Sequence, residues 1–110
     1  MATIDEFQKL DIRIGIIKEA EYLSKARVPA IKLMIDFGEE LGYKASSAQI
    51  TKRYTPEEMI GKQVTAIVNF PPRRIAGFKS EVLVLGAVPE EGDVVLLTPE
   101  KPVAPGTAIS

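Results

Sequence analysis

Gln63 to Val88 reads QVTAIVNFPPRRIAGFKSEVLVLGAV, and this stretch decides how the 110-residue chain is organised. Residues 64–68 are β-branched or small and predict a strand. Pro71-Pro72 then ends it, because neither proline has an N–H to give to a sheet ladder. Arg73, Arg74 and Lys79 follow within seven positions, interleaved with Ile75, Gly77 and Phe78. Glu81 to Val88 predicts a return strand that is apolar at consecutive positions, a pattern expected of burial on both faces. A basic, aromatic-bearing loop between two sheet strands suits a polyanion. It also fits an ordinary solvated hairpin loop.

Working outward, the charge is unevenly spread. The chain has a net charge of −1, yet residues 44–79 hold seven basic residues against two acidic, a surplus of +5. The remainder holds seven basic against thirteen acidic, or −6. A basic middle between acidic ends steers an anion to one face if the segregation persists in space.

The composition, 45% hydrophobic and 26% charged, is that of one soluble globular domain, residues 1–110. The longest apolar run, Val82 to Val88, is far short of the roughly 20 residues that span a bilayer, so no membrane insertion is expected. Residues 1–10 lack a signal-peptide core, which makes the cytoplasm the default compartment. The chain has no cysteine and no histidine. Disulfides, thiolate nucleophiles, imidazole bases and ordinary zinc sites are therefore excluded. The remaining hard-ligand residues, Asp36 and the adjacent pairs Glu39-Glu40 and Glu90-Glu91, sit in loop-like sequence where neighbouring carboxylates diverge. No metal, no cofactor and no enzymatic activity are expected.

In chain order, Thr3-Ile4-Asp5-Glu6 has the form of a capping box and predicts a short helix to about Leu10, with Ile4, Phe7 and Leu10 on one face. Asp11 to Glu19 predicts a first strand with Ile12, Ile14 and Ile16 inward and a bend at Gly15. Glu21 to Pro29 reads as a surface loop. Ile31 to Phe37 predicts a second strand with Ile31, Leu33 and Ile35 inward. Gly38 to Gly42 has hairpin-loop chemistry, and Tyr43 to Ile50 reads as a third strand. Thr55-Pro56-Glu57-Glu58 opens a compact helix that Gly61 ends, which gives its glutamates a structural reason to be there. Asp93 to Leu97 predicts a further buried strand, and Thr98 to Ser110, with three prolines, an extended tail.

Three strands, a short helix and two more strands is the order of an OB-fold barrel. The expected fold is all-β: a five-stranded OB-fold barrel with short N-terminal and inter-strand helices and an extra C-terminal strand. The chain also resembles the tRNA-binding-domain family, small dimeric OB-folds that are also appended to methionyl- and tyrosyl-tRNA synthetases. The likeness rests on Asp11-Ile12-Arg13-Ile14-Gly15, Ile35-Asp36-Phe37-Gly38, Tyr54-x-Pro56-Glu57-Glu58-x-Ile60-Gly61 and Val68-Asn69-Phe70-x-Pro72-Arg73-Arg74-Ile75. Gly77 and Ser80-Glu81 join them. Ala26-Arg27-x-Pro29-Ala30 and Ser46-Ser47-Ala48-Gln49-Ile50-Thr51 draw it toward an export-related chaperone branch of that family. It departs from the family's tRNA binders at Ala76, where they usually carry arginine, and at Val82-Leu83, where they tend to have Gly-Met.

The resemblance implies a homodimer binding tRNA or other structured RNA. Expected contacts are Lys44, Ser46, Lys52 and Arg53 from the third strand and its exit, with Asn69, Arg73, Arg74, Lys79 and Ser80 from the basic connection. Asn69 and Ser80 fit turn capping equally well. The alternative partner is an unfolded or exported polypeptide held on an apolar surface. Ile4, Phe7, Met34, Phe70, Ile75 and Phe78 are the residues expected in that surface or in the dimer interface.

Overall fold

Strict alternation over Ile31-Lys32-Leu33-Met34-Ile35 sets one side of a strand against water and the other against a core. In the computed structural model, which describes residues 1–24 and 26–110, Ile31, Leu33 and Ile35 are buried and Lys32 and Met34 only partly so. This strand is β2 (Ile31–Asp36). It pairs antiparallel with β1 (Ile12–Tyr22) on one edge and β3 (Tyr43–Ala48) on the other. Beyond β1 come β4 (Gln63–Ile67) and β7 (Leu83–Val84), giving a five-stranded sheet in the order β3-β2-β1-β4-β7.

The open seam between β3 and β7 is closed by side chains as well as backbone. The Glu81 N–H donates to the Ala45 carbonyl at 2.8 Å, and the Glu81 carboxylate accepts the Ala45 N–H at 3.0 Å. The Ser80 hydroxyl accepts the Ser47 N–H at 3.1 Å, and the Ser46 hydroxyl donates to the Val82 carbonyl at 2.8 Å. Each edge group of β3 named here would otherwise be an unpaired buried dipole. The result is a nearly closed five-stranded barrel of OB type, around Ile17, Leu33, Ile35, Phe37, Met59 and Val64.

The phase of β1 is the reverse of the expected one. Ile17 and Gly15 lie opposite Ile35 and Val64 and face the core, and Ile16 is only half-buried. A Cβ on Gly15 would stand 2.7 Å from the Phe37 ring, so Ile35 and Phe37 pack against bare backbone there, while the irregularity of β1 falls between Ile17 and Glu19 and not at Gly15 as expected. Ile12 and Ile14 are buried on the other face, paired with Ile67 and Thr65. The Leu97 carbonyl accepts the Thr65 hydroxyl at 3.0 Å. The tail then returns along the β1 edge. The Ile14 N–H donates to the Thr107 carbonyl at 2.9 Å, and the Gly106 N–H to the Ile14 carbonyl at 2.7 Å.

Both capping signals fold as the residues dictate. In α1 (Ile4–Gln8) the Thr3 hydroxyl accepts from the Glu6 N–H while the Glu6 carboxylate accepts from the Thr3 N–H at 2.9 Å. None of its residues is buried. Gly38–Leu41, expected as a plain loop, makes one helical turn, α2. Before α3 (Pro56–Met59) the Thr55 N–H donates to Glu58 at 3.0 Å.

The return strand expected over Glu81 to Val88 is not one strand buried on both faces. After β7 the chain leaves the barrel sheet and forms β8 (Gly86–Glu90), which pairs with β9 (Asp93–Leu96) in a separate hairpin. Gly86 marks the departure, since a Cβ there would lie 3.1 Å from the Val95 carbonyl oxygen. Leu83 and Val88 are consequently exposed.

Candidate nucleic-acid interface

The basic connection is itself folded. After Pro71-Pro72, β5 (Arg73–Ile75) and β6 (Phe78–Ser80) pair antiparallel as a hairpin around Ala76-Gly77. Both turn residues have positive φ, 51° and 80°, as a two-residue hairpin of matching twist requires. Gly77 adopts this freely; Ala76 does so against its own Cβ.

The pairing decides where the cations point. Arg73 lies opposite Ser80, Arg74 opposite Lys79, and Ile75 opposite Phe78. Residues directly opposite share a face, and successive residues alternate. Arg74 and Lys79 therefore stand together on one face, and Arg73 stands on the other with Ile75, Phe78 and Ser80. All three cations are exposed, and none forms an ion pair among the described residues. The Arg74–Lys79 pair places two like charges side by side, an arrangement that an anionic ligand relieves.

Arg73, Ile75 and Ser80 of that face line a groove of about 690 Å³, which Phe78 of the same face does not reach. Its walls include Val28, Phe70, Ile75, Leu83 and Val94, with Arg27 from the segment before β2. Phe70 and Ile75, expected in the apolar surface, thus meet here. Met34 and Phe78 instead line a smaller cavity of about 210 Å³, where the Lys32 ammonium sits 5.9 Å from the Phe78 ring centre. Ile4 and Phe7 are exposed on α1.

The other expected contacts are distributed elsewhere. Ser46 is fully buried with its hydroxyl bonded to Val82, and Ser80 caps β3. Both serve the barrel seam. Lys44 is half-buried on β3, two residues from Ser46. The Asn69 carbonyl oxygen accepts the Asp11 N–H at 2.9 Å, and its amide donates to the Lys9 carbonyl at 2.8 Å. Asn69 therefore ties the exit of α1 to the end of β4, the capping alternative. Lys52 and Arg53 turn to the β8–β9 hairpin. Lys52 pairs with Glu90 at 3.1 Å, and Arg53 grips Asp93 through two hydrogen bonds, Nη2 to Oδ2 being 2.8 Å. The Arg53 hydrogen bond holds the Asp93 pKa below the ordinary aspartate value, and Arg53 is raised by the same contact.

Two features were not anticipated from sequence. Arg27 belongs to the groove, brought there by the loop before β2. Arg13 links Asp11, Glu40 at 3.0 Å and the Gly106 carbonyl at 3.1 Å, and these carboxylates raise its pKa. No group of three or more potential metal-ligating side chains occurs among the described residues.

With this geometry in hand, the likeness to known proteins becomes specific. The sequence model of the family described as "Putative tRNA binding domain" matches residues 12–108. The chain belongs to the tRNA-binding-domain family. The methionine–tRNA ligase of Archaeoglobus fulgidus is 45% identical over 107 residues, which cover 97% of this chain and 16% of that enzyme. The chain thus spans about a sixth of the length of the curated relatives it matches. Among the solved structures that match over the whole chain are two chaperones. Chaperone CsaA from Bacillus anthracis is 64% identical with a TM-score of 0.96, covering 99% of that protein. CsaA from Picrophilus torridus is 53% identical with a TM-score of 0.93, covering all of it.

Proposed function

We propose that the chain is a non-catalytic tRNA-binding homodimer of the cytoplasm, resembling chaperone CsaA, that binds structured RNA through its basic hairpin. The observation that carries this reading is the Arg74–Lys79 pair, two exposed like charges held side by side with no acidic partner among the described residues. Such a pair meets phosphates without first breaking an ion pair, and backbone contact of this kind positions an RNA without reading bases. Membership of the tRNA-binding-domain family supports the same ligand. No described helix is long and apolar enough to cross a membrane.

Dimerisation is supported by apolar residues left uncovered: Ile4, Phe7, Leu97, Val103 and Ile109 are all exposed. A twofold interface of standard size, roughly 1,600 Å² in total, removes such surface from water. A second reading, a dimer that holds unfolded or exported polypeptide, is favoured by the 690 Å³ apolar groove and by the likeness to the two CsaA chaperones.

The test is to isolate the protein natively, measure its 260/280 nm absorbance ratio and sedimentation, and titrate it with labelled tRNA and an unstructured oligonucleotide of equal length. A dimer that prefers the folded tRNA is expected. A stable 12 kDa monomer at micromolar concentration would refute the dimer, and equal binding of both nucleic acids would refute recognition of structured RNA.

A further inference from the structure

We propose that the groove is selective: it takes an extended apolar peptide segment bearing a carboxylate, and Arg73 is the residue that selects for the acid. This rests on the polypeptide-holding reading above and names the chemistry of its client.

The walls are mostly apolar, and the volume of about 690 Å³ lies within the range of pockets that bury most of a ligand's surface. Among the described residues, only three charged side chains line it: Arg27, Arg73 and Glu81. They are not equivalent. The Glu81 carboxylate already accepts the Ala45 N–H across the barrel seam, and the two arginines form no ion pair among the described residues. Two arginines against one carboxylate leave the described lining with a net charge of +1.

An arginine fork beside an apolar wall binds a carboxylate through two parallel hydrogen bonds, and partial exclusion of water strengthens them. A basic group on the peptide would instead meet Arg27 and Arg73 as like charges. The groove also disfavours a polynucleotide, because burying phosphates against Val28, Leu83 and Val94 removes their hydration without enough donors to replace it. Strand alternation gives the arginines separate partners: Arg73 faces the groove, and Arg74 with Lys79 faces away. Adjacent residues then serve different ligands.

The experiment compares three fluorescent peptides with one apolar core, flanked by Asp, Asn or Lys, against wild type, Arg73→Ala, Arg74→Ala and Arg73→Glu. The Asp peptide is expected to bind wild type about tenfold or more tighter than the Asn peptide, the scale of a hydrogen bond to a charged group. Arg73→Ala should remove most of that difference, Arg27 remaining, without weakening the Asn peptide, and Arg74→Ala should leave it intact. Arg73→Glu should transfer the preference to the Lys peptide. Equal binding of all three peptides by wild type overturns acid selection while the polypeptide-holding reading stands. If no peptide binds, both fall. If Arg74→Ala acts like Arg73→Ala, or tRNA displaces the Asp peptide competitively, the assignment of separate faces is wrong.

Discussion

Replacing Arg74 and Lys79 together by alanine isolates the outward face of the hairpin. Both side chains are exposed and unpaired among the described residues, so nothing in the fold depends on their charge. Relief of a direct cross-strand repulsion is worth roughly 0.2–1 kcal/mol, so the variant should melt no lower than wild type. RNA binding should respond strongly. Each phosphate neutralised contributes about 0.7–0.9 to the slope of log affinity against log salt. Removing both cations therefore flattens the slope by about 1.4–1.8 if each meets one phosphate. Over a fourfold rise in salt, from about 50 to 200 mM, wild type should lose roughly 7- to 12-fold more affinity than the variant. Fluorescence anisotropy with labelled tRNA at four KCl concentrations measures this, with Arg73→Ala as the control. Its side chain faces the groove and should change the slope little. An unchanged slope in the double variant, or an equal flattening in the control, would refute the division of the hairpin into two faces.

Two further outcomes concern the scaffold. Gly15→Ala forces a methyl to within 2.7 Å of the Phe37 ring, and overpacking of this kind costs about 1–3 kcal/mol, or about 4–8 °C per kcal/mol in a domain of this size. A thermal melt unchanged by the substitution would contradict the inward phase of β1. The Arg53–Asp93 pair has a defined pH signature. Because folding lowers the Asp93 pKa, its contribution is complete above the unfolded aspartate value and disappears as pH falls through the folded one. Urea titrations of wild type and Asp93→Asn should show a stability gap that is constant near neutrality and closes only in acid, below about pH 4. A gap that does not narrow at all as the pH falls into acid would mean that charge is not what Asp93 supplies.

The local signals were legible because their partners lie within one turn or one pleat. Thr3 finds Glu6 and Thr55 finds Glu58 at a spacing of three, and β2 alternates cleanly. The phase of β1 was hidden because Ile12, Ile14, Ile16 and Ile17 are all apolar and Gly15 has no side chain to declare a face. Only distant contacts assign it, with Ile35 and Phe37 packed against Gly15 on the inside. The return strand misled for a related reason. Its apolar run looks continuous, while Gly86 quietly transfers the chain to a second sheet.

Charge in sequence overstated the basic surface in the same way. Lys52 and Arg53 count toward the surplus of the middle segment, yet Glu90 and Asp93, some 40 residues later, pair with them. Ser46, Ser80 and Asn69 each satisfy an edge of the fold: the β3 seam for the serines and the α1 exit for the asparagine. What then stands unpaired on the hairpin, among the described residues, is Arg73, Arg74 and Lys79, whose adjacency in sequence reads as one basic loop tip. A two-residue turn at Ala76-Gly77 makes that tip a pleated hairpin, and a pleat cannot point neighbouring side chains the same way. One element eight residues long thereby presents a pair of exposed cations on one side and part of the wall of an apolar groove on the other. The two proposed ligands, RNA and peptide, would then meet opposite faces of the same loop.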